Sequence, residues 1–494
     1  MSDPAPPRFR DSAVVVLIRG HGANLETYWV RRSDAVAVMP GFYAFPGGAV
    51  DAQDQALGFE GAGQAADHVL RACALREAFE ETGVLAGLAA PASAAPLEEA
   101  RRRLLADEVT FPALAREHGW RFGADTLAHA GRWQTPPFAT RRFDATYYLV
   151  RVPEGQEPSI RAGELAMGEW IQPEQALERY RAGEVAFAAP ILWTLRALAE
   201  GEEGLAARLV RGPERAGDPV QRIELKWGIV LVPMKTRPLP PATHTNTYLV
   251  GEREMALIDP GSAEASELEK LFAIIDMLGA EGRRLVVVLA THQHPDHIAG
   301  IEAVRERYQV PVAAHVQTAL TVRADRVLGD GNMVELATGM GEWSLRVLHT
   351  PGHARGHLCF LHPRTRSLFC GDHIPGGTGT VIIDPPDGNM AAYVRSLGRL
   401  LDEPIETLFP GHGSPQGAAR RRIEWLISHR LKREALVLAA LAEDPEPLDA
   451  LVQRAYRETP PDLWTYAQRS LLAHLEKLEA EGRAVRSGER WARA

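Results

Sequence analysis

Seven consecutive residues, Thr291-His292-Gln293-His294-Pro295-Asp296-His297, decide how the middle of this chain folds. They follow the apolar run Leu285-Val286-Val287-Val288-Leu289-Ala290, of the kind that forms a buried parallel strand. A strand that ends in such a loop directs three imidazoles and a carboxylate to one place beyond the edge of its sheet. Zn²⁺ accepts both ligand types, and a bound metal makes this crowding tolerable. The stretch therefore predicts a metal site at the end of a strand.

Three later turns supply further ligands of the same kind. Each contains glycine and follows an apolar segment, and they carry His353 (349–353), Asp372 (370–373) and His412 (409–413). Seven ligands are enough for two metal ions that share one carboxylate. The alternative is a set of scattered surface histidines, which is less favoured because a metal cluster is the usual cause of such density.

These motifs resemble those of the metallo-β-lactamase hydrolase superfamily, over about residues 222–416. The resemblance implies an αβ/βα sandwich with its site at one edge of two facing sheets. It also implies two groups of ligands joined by a bridging Asp372, namely His292, His294 and His353 for one metal and Asp296, His297 and His412 for the other. Asp259, at a strand end, matches a position that looks structural in the family.

The expected chemistry is hydrolysis at a dinuclear zinc site. Two Zn²⁺ ions lower the pKa of a bridging water to near neutrality and so provide a hydroxide nucleophile. Asp296 is the predicted catalytic residue, because it would be both a ligand and a hydrogen-bond acceptor for that hydroxide. His373 is retained only as a candidate substrate contact.

Composition limits the remaining possibilities. A chain of 494 residues is too long for one core, so two or three domains are expected. A formal net charge of −9 argues against a protein that coats nucleic acid, and three scattered cysteines fit a reducing cytosol. Neither a signal peptide nor a membrane span is expected. Stretches rich in proline and glycine at 212–219 and 411–417 suggest domains at 1–215, 222–416 and 417–494.

A second catalytic pattern lies in the first segment, at Arg76-Glu77-Ala78-Phe79-Glu80-Glu81-Thr82-Gly83-Val84. Residues 72–84 are predicted to form a helix that Gly83 ends. Its three glutamates, Glu77, Glu80 and Glu81, share one face and repel each other unless a cation lies between them. Carboxylate oxygens arranged in this way suit Mg²⁺ or Mn²⁺ with a diphosphate.

This pattern resembles the Nudix box of nucleoside-diphosphate-linked hydrolases, over about residues 9–201. The resemblance implies an α/β/α fold, with Glu80 and Glu81 as metal ligands and Glu77 as a ligand or the catalytic residue that positions water. Two departures stand out: residues 51–66 intervene before the helix, and the upstream glutamate of the pattern falls at His68. The insert looks like the branch that includes coenzyme A diphosphatases. The alternatives are a domain that binds a nucleotide without cleaving it, and a merely solvated acidic helix face.

The last segment, 417–494, has a mild basic excess and reads as helices followed by a hairpin at 482–491. It is similar to the C-terminal winged helix of the β-lactamase-like endoribonuclease branch. Winged helices often bind nucleic acid through phosphate contacts. The alternative is a packing or dimerisation module, since a mildly basic helix is usually only a solvated face.

The sequence thus predicts a cytoplasmic metal-dependent hydrolase that cleaves an ester-type or phosphodiester bond. Single-stranded RNA is one candidate substrate. Its Nudix domain would bind or hydrolyse a nucleoside diphosphate-linked, coenzyme A-like compound. The alternative is a small-molecule thioesterase or lactonase of the glyoxalase II type, with the Nudix domain as a nucleotide sensor. A homodimer is a further expectation, without a membrane partner. Pocket shape, which motifs do not encode, decides between these substrates.

Overall fold

The computed structural model describes residues 9–60, 67–89, 97–136, 139, 141–211, 223–240, 242–337, 343–377 and 379–494. The chain divides into two compact units, with the boundary between Trp227 and Gly228. The predicted boundaries at 215 and 222, and the proline-rich stretch at 212–219, lie outside the described residues. Separate domains at 222–416 and 417–494 stay a prediction. Across the described ranges, no helix combines the length and apolar character needed to cross a membrane.

The first unit contains ten strands and six α-helices within its described residues. The strands are β1 (Arg10–Arg19), β2 (Glu26–Arg32), β3 (Tyr43–Ala44), β4 (Gly47–Ala49), β5 (Phe59–Glu60), β6 (Phe122–Gly123), β7 (Ala128–Gln134), β8 (Phe143–Arg151), β9 (Leu165–Ile171) and β10 (Ile223–Lys226). The helices are α1 (His68–Thr82), α2 (Leu97–Leu105), α3 (Phe111–His118), α4 (Pro173–Arg181), α5 (Ala189–Ala199) and α6 (Leu205–Arg211).

A mixed sheet forms the middle layer of the first unit, in the order β3-β2-β1-β8-β7, with β4 paired to β1 and β9 to β2. Side chains of β1 alternate between its two faces, as the pleat requires. Ala13, Val15 and Leu17 pack in one core with α1, whereas Val16 and Ile18 pack in another with α4 and α5. Helices therefore cover both faces of the sheet, and the predicted α/β/α fold is confirmed.

Helix α1 carries the glutamates of the first unit. It ends where Gly83 adopts a left-handed conformation, with φ 75°, and donates its N–H to the carbonyl of Phe79. Glycine adopts this conformation without the steric cost that a Cβ brings. The predicted end at Gly83 is confirmed, and the helix begins four residues earlier than the predicted Ala72, at His68.

The second unit contains the His-rich motifs. Its strands are β11 (Ile229–Lys235), β12 (His244–Val250), β13 (Glu254–Ile258), β14 (Arg284–Leu289), β15 (Val312–His315), β16 (Arg326–Leu328), β17 (Met333–Leu336), β18 (Trp343–His349), β19 (Leu358–His362), β20 (Ser367–Gly371), β21 (Thr407–Pro410), β22 (Glu446–Pro447), β23 (Ala484–Ser487) and β24 (Arg490–Arg493). Its helices are α7 (Ala265–Ala280), α8 (Pro295–Ile298), α9 (Ile301–Tyr308), α10 (Val316–Val322), α11 (Met390–Leu400), α12 (Ala419–Ala440), α13 (Leu448–Ala455) and α14 (Trp464–Ala480).

Two sheets face each other in this unit. One runs from β11 to β16 in chain order, with β13 to β16 parallel, and the other runs from β17 to β21. Tyr248 on β12 makes edge-on ring contacts with Phe369 on β20 and Phe409 on β21, so aromatic side chains fill the space between the sheets. This is the predicted sandwich.

The sandwich places the ligand-bearing loops together because several of them follow neighbouring strands. The apolar strand predicted at 285–290 is observed as β14, and the His-rich loop leaves its carboxyl end. The loops after β20 and β21, which are parallel partners, carry Asp372 and His412. Carboxyl ends of parallel strands meet at one edge of a sheet, and this arrangement brings separate motifs to a single site.

The C-terminal residues form a winged helix, as predicted. Helices α13 and α14 and the end of α12 surround a small core that contains Leu471, Leu475 and Trp491. The hairpin of β23 and β24 forms a three-stranded sheet with the short β22.

Candidate metal centres

The side chains predicted to hold the first metal converge in the second unit. His292 is fully buried, and its Nε2 lies 2.9 Å from Nδ1 of His294. That same Nδ1 lies 3.0 Å from Nε2 of His353. One donor atom from each of His292, His294, His353 and Asp372 falls within 4.8 Å of the other three. Zn–N bonds of 2.0–2.1 Å in tetrahedral geometry place ligand nitrogens about 3.3 Å apart, so this spacing suits one small cation.

The side chains predicted to hold the second metal form an adjacent group. Nε2 of His412 lies 3.3 Å from Nε2 of His297 and 3.3 Å from Oδ2 of Asp296. The donor atoms of these three residues also lie within 4.8 Å of one another. Asp296 and His297 come from the short helix α8, which places both side chains beside the loop after β21.

Asp372 contacts both groups with different oxygens. Its Oδ1 lies 3.3 Å from Nε2 of His297 and 3.4 Å from Nε2 of His412. Its Oδ2 lies 3.6 Å from Nε2 of His353. The carboxylate therefore has the position that a bridge between two metal ions requires.

Hydrogen bonds on the far side of each ring fix which nitrogen faces the centre. Nδ1 of His353 donates to the carbonyl of Ile382 at 2.9 Å, and Nδ1 of His412 donates to the carbonyl of His244 at 2.8 Å. A carbonyl can only accept, so Nδ1 of each ring carries a proton, and Nε2 is the nitrogen that faces the centre. Such outer contacts are typical of metal-binding histidines.

Asp259 performs this orienting role for both groups at once. Its Oδ2 accepts a hydrogen bond from Nδ1 of His297 at 2.8 Å and another from the hydroxyl of Thr291 at 2.6 Å. Because that hydroxyl has donated its proton, it accepts from Nδ1 of His292 at 2.9 Å. The family resemblance implied a structural role for Asp259, and the geometry shows the two imidazoles with which it is connected.

The electrostatics of the site favour positive charge at its centre. Burial opposes ionisation of Asp372, but His412 and His297 outweigh it and hold the pKa of that carboxyl well below its usual range. Burial likewise opposes protonation of His412, yet Asp372 raises its pKa to about 9. In the other group, burial lowers the pKa of His353 to about 4, which leaves a neutral ring that can bind a metal. Neutral imidazoles beside a carboxylate form a donor set that suits Zn²⁺.

Two further histidines lie behind the donor groups. His357 and His373 are fully buried, and the ring of His373 packs edge-on against Tyr393 at 4.9 Å. Burial lowers the pKa of His373 to about 3, so it is neutral. The structure places this side chain in the protein interior, which does not match its expected position as a substrate contact.

In the first unit, two of the three predicted glutamates, Glu77 and Glu81, lie against the backbone of the β4 strand. Glu81 accepts a hydrogen bond from the N–H of Gly47 at 2.9 Å. A Cβ on Gly48 would lie 2.3 Å from a carboxylate oxygen of Glu77, so glycine leaves space for that carboxylate in its present position. Burial raises the pKa of Glu77 to about 7 and that of Glu81 to about 8, and it also raises the pKa of Glu80.

Arg76 provides the cation nearest to these carboxylates. Its Nη1 donates to Glu77 at 2.8 Å and to Glu80 at 2.9 Å. Within the described residues, the three glutamates do not bring three donor atoms within 4.8 Å of one another. Their arrangement supports a site for Mg²⁺ or Mn²⁺ less directly than the second unit supports its metal centre.

The structure also shows a residue that the sequence analysis missed. Asp54, in the insert before α1, is buried and pairs with Arg76, whereas His68 only begins the helix. Asp54 lies in the insert and therefore outside the regular spacing of the Nudix-like pattern at 76–84. Helical periodicity does not indicate that it contacts Arg76. A capping box at Asp51 and Asp54 was the one local sign of order there.

Three family models match this chain, and their order agrees with the fold. The NUDT19 Nudix domain matches residues 59–198, the metallo-beta-lactamase superfamily matches residues 240–412, and the beta-lactamase associated winged helix domain matches residues 448–491.

Individual proteins show the same likeness. A Drosophila melanogaster protein named beta-lactamase-like protein 2 homolog is 32% identical over 262 residues, which cover 48% of this chain and 83% of that protein. An atrochrysone carboxyl ACP thioesterase from Aspergillus chevalieri is 30% identical over 204 residues, 40% of this chain and 61% of that protein. Among solved structures, a metallo-beta-lactamase family protein from Thermus thermophilus is 26% identical, covering 54% of this chain and 99% of its own, with a TM-score of 0.45. A NUDIX hydrolase from Alicyclobacillus acidocaldarius is 31% identical, and the match covers 42% of this chain and 100% of that structure, with a TM-score of 0.38.

Proposed function

The chain belongs to the metallo-beta-lactamase superfamily and is a hydrolase that also carries a Nudix domain, and we propose that its second unit cleaves acyl thioesters with two Zn²⁺ ions. One observation carries the proposal: two adjacent donor groups share the carboxylate of Asp372. A single metal ion would not need a carboxylate whose two oxygens face different groups of histidines.

Each donor group would hold one ion. His292, His294 and His353 would bind the first, Asp296, His297 and His412 would bind the second, and Asp372 would contact both. When bound, the two ions supply Lewis acidity toward a carbonyl oxygen and acidify the attacking water. Asp259 and Thr291 keep the imidazoles of His292 and His297 in the orientation that this binding requires.

Asp296 is the proposed catalytic residue. Its side chain is about one-fifth exposed, so a substrate can reach it. Burial raises the pKa of Asp296, but interactions with His412 and His297 outweigh burial and lower it, so the carboxyl is ionised. Its carboxylate can accept the proton of the attacking water at Oδ. Addition of that water to the thioester carbonyl and breakage of the C–S bond give a carboxylic acid and a thiolate. The proton held at Asp296 then passes to the thiolate sulfur, which completes the balance.

A thioester is favoured because two separate observations agree on it. One similar protein is named an ACP thioesterase, and the Nudix domain of this chain has buried carboxylates suited to a divalent cation that binds a diphosphate. An acyl-coenzyme A molecule carries both a thioester and a diphosphate. We therefore propose coenzyme A-like compounds as the substrate class, with Glu80 and Glu81 as ligands of Mg²⁺ or Mn²⁺ and Glu77 positioning water.

Cleavage of single-stranded RNA is the second candidate, and the winged helix is the observation that favours it. Several basic residues of this module, however, are engaged by its own carboxylates. Arg433 pairs with Glu458, Arg454 with Glu446, and Lys477 with Glu434. Ion pairing of this kind weakens the attraction for phosphates, on which nucleic-acid binding depends.

Metal analysis and a substrate panel test the proposal. The panel contains an acyl-coenzyme A, a lactone, single-stranded RNA and free coenzyme A, assayed with the wild-type chain and with His294→Ala. We expect about two zinc ions per wild-type chain, with thioester cleavage that His294→Ala abolishes. His118→Ala, which changes a histidine stacked on Trp120 in the first unit, is the matched control. Zinc-dependent RNA cleavage with an inert thioester would replace the proposal by the second candidate.

A further inference from the structure

We infer that the C-terminal helices α12 and α14 position the first donor group, through the segment 381–389 that lies between them and the site. This rests on the metal-binding role proposed above for His353. The C-terminal module would then be part of the zinc site's support, whatever else its surface binds.

The segment 381–389 contacts two ligand-bearing loops directly. The carbonyl of Ile382 accepts the hydrogen bond from Nδ1 of His353, at 2.9 Å. Asp387 accepts from the side chain of Gln293 at 2.7 Å and from the N–H of Arg355 at 3.1 Å. Gln293 stands between His292 and His294, so the segment holds both loops that supply the first donor group.

The C-terminal helices hold the other side of the segment. From α12, the guanidinium of Arg430 donates to the carbonyl of Val381, next to Ile382. From α14, the hydroxyl of Ser470 accepts from the N–H of Ile383 at 3.4 Å, and Arg469 pairs with Asp384 at 3.2 Å. Contacts therefore flank Ile382 on both sides along the backbone.

Burial makes this connection stiff. Ile383 is fully buried in the same apolar core as Ile423 and Leu426 of α12 and Ala473 of α14. Well-packed interiors transmit displacements, because neighbouring side chains have little free space. A shift of the C-terminal helices would thus move the carbonyl of Ile382 and turn the ring of His353.

Arg430 is the most informative of these contacts. It is 3% exposed, and its guanidinium also lies over the ring of Tyr393, 5.3 Å from the centroid. The hydroxyl of Tyr393 donates to the carbonyl of His373 at 2.9 Å, one residue after Asp372. Burying an arginine is costly, and the hydrogen bond that Nη2 of Arg430 does make goes to the segment that supports His353.

The chain offers a matched control for Arg430 on the same helix. Arg433 also lies over a tyrosine ring, that of Tyr456, at 4.1 Å, and it also donates to a carbonyl, that of Ala455. These partners belong to the C-terminal module itself. Arg430→Met and Arg433→Met therefore both remove a ring contact and a hydrogen bond to a carbonyl, and Arg433→Met also removes the pair with Glu458. Only Arg430→Met removes an interaction that supports the site.

The test measures zinc affinity by chelator competition and the visible absorption of the Co²⁺-substituted chain. We expect Arg430→Met to weaken one of two metal-binding steps about 10-fold or more and to change the Co²⁺ spectrum, as loss of an outer-shell partner does. Arg433→Met should lower thermal stability yet keep both affinities and the spectrum. Ser470→Ala, a smaller change, should give a weaker loss of the same kind if Arg430→Met fails to fold.

Two results would overturn the inference: Arg430→Met and Ser470→Ala with wild-type metal affinity, or Arg433→Met with a loss equal to that of Arg430→Met. Failure of the proposed function is separate, because it would appear in the wild-type chain as an absence of tightly bound metal.

Discussion

Asp54 accepts two hydrogen bonds from Arg76, from Nε at 2.8 Å and from Nη2 at 3.0 Å, across 22 residues of chain. Both side chains are about 5% exposed or less. The remaining guanidinium nitrogen, Nη1, bonds Glu77 and Glu80, so Asp54 fixes the cation that orders two of the three glutamates. A residue of the insert thereby organises the acidic face of α1.

Asp54→Ala should destabilise the first unit and lower any diphosphatase activity. The substitution breaks a buried ion pair, which costs about 3 kcal/mol, and it frees Arg76 to bind the glutamates more closely. Denaturant unfolding and hydrolysis of coenzyme A with Mg²⁺ would measure the two effects. Asp51→Ala is the control, since Asp51 is exposed and only caps the same short 3₁₀ helix. Equal behaviour of the two variants would contradict the role assigned to Asp54.

Glu80→Gln combined with Glu81→Gln should separate the two activities proposed for the chain. Amide groups bind Mg²⁺ more weakly than carboxylates, so diphosphatase activity should fall at least about 100-fold while thioester cleavage stays unchanged. Parallel assays with coenzyme A and an acyl-coenzyme A would show this. The control, Glu99→Gln with Glu108→Gln, changes two exposed glutamates that pair with Arg102. A fall in both activities would indicate coupled domains, and no fall in either would mean a Nudix site without hydrolytic activity.

Asp259→Asn should weaken metal binding at both donor groups. Asparagine tolerates the left-handed backbone of this position, where φ is 51°, so the substitution changes the hydrogen bonds more than the fold. The hydrogen bonds that orient His297 and, through Thr291, His292 would weaken, which typically costs 10-fold to about 100-fold in metal affinity. Zinc titration against a chelator is the measurement. Asp276→Asn, at an exposed carboxylate that pairs with Arg307, should bind both ions normally. Unchanged affinity in Asp259→Asn would disprove its orienting role.

Glu434→Gln should reduce stability at neutral pH but not in acid. Burial favours the neutral carboxyl, yet contacts with His474 and Lys477 outweigh it and lower the pKa of Glu434 to about 2. A carboxyl whose pKa is lower in the folded chain stabilises the fold at every pH above its unfolded pKa, 4.5. This contribution is lost as the pH falls toward 2. The wild-type advantage should be at most about 3 kcal/mol at pH 7 and should vanish between about pH 4.5 and 2.

Urea unfolding of both chains across this pH range checks the prediction for Glu434. Comparing variant with wild type removes the common effect of acid on metal binding. Glu424→Gln on the same helix changes an exposed pair with Arg420 and should alter stability by less than about 1 kcal/mol. A constant difference between Glu434→Gln and wild type at every pH would contradict the assigned pKa.

The sequence predicted those features that depend on short spacings. The strand before His292 and the helix that ends at Gly83 follow from local hydrophobic and turn patterns, and the fold confirms both. All seven predicted donors of the second unit lie in the two groups, because each follows a recognisable strand-to-turn pattern. Their roles as metal ligands remain a proposal.

Other features required the folded chain. Ile382 lies 29 residues after His353 and acts through a backbone carbonyl, which every residue possesses, so its sequence carries no sign of this role. Asp54 contacts Arg76 only because the insert folds back onto α1. Long-range pairs of this type depend on loop conformation, and hydrophobic periodicity contains no information about that conformation.

The contacts of segment 381–389 with α12 and α14 bear on how this hydrolase can be recombined with other proteins. A transplanted piece that ended with the last strand of the sandwich, near Gln416, would carry all seven donors but leave Val381, Ile383 and Asp384 without their partners. A portable hydrolase would therefore have to include α12 and α14 together with the sandwich. Swapping the winged helix for that of a relative would alter metal retention unless the residues facing the segment were swapped with it.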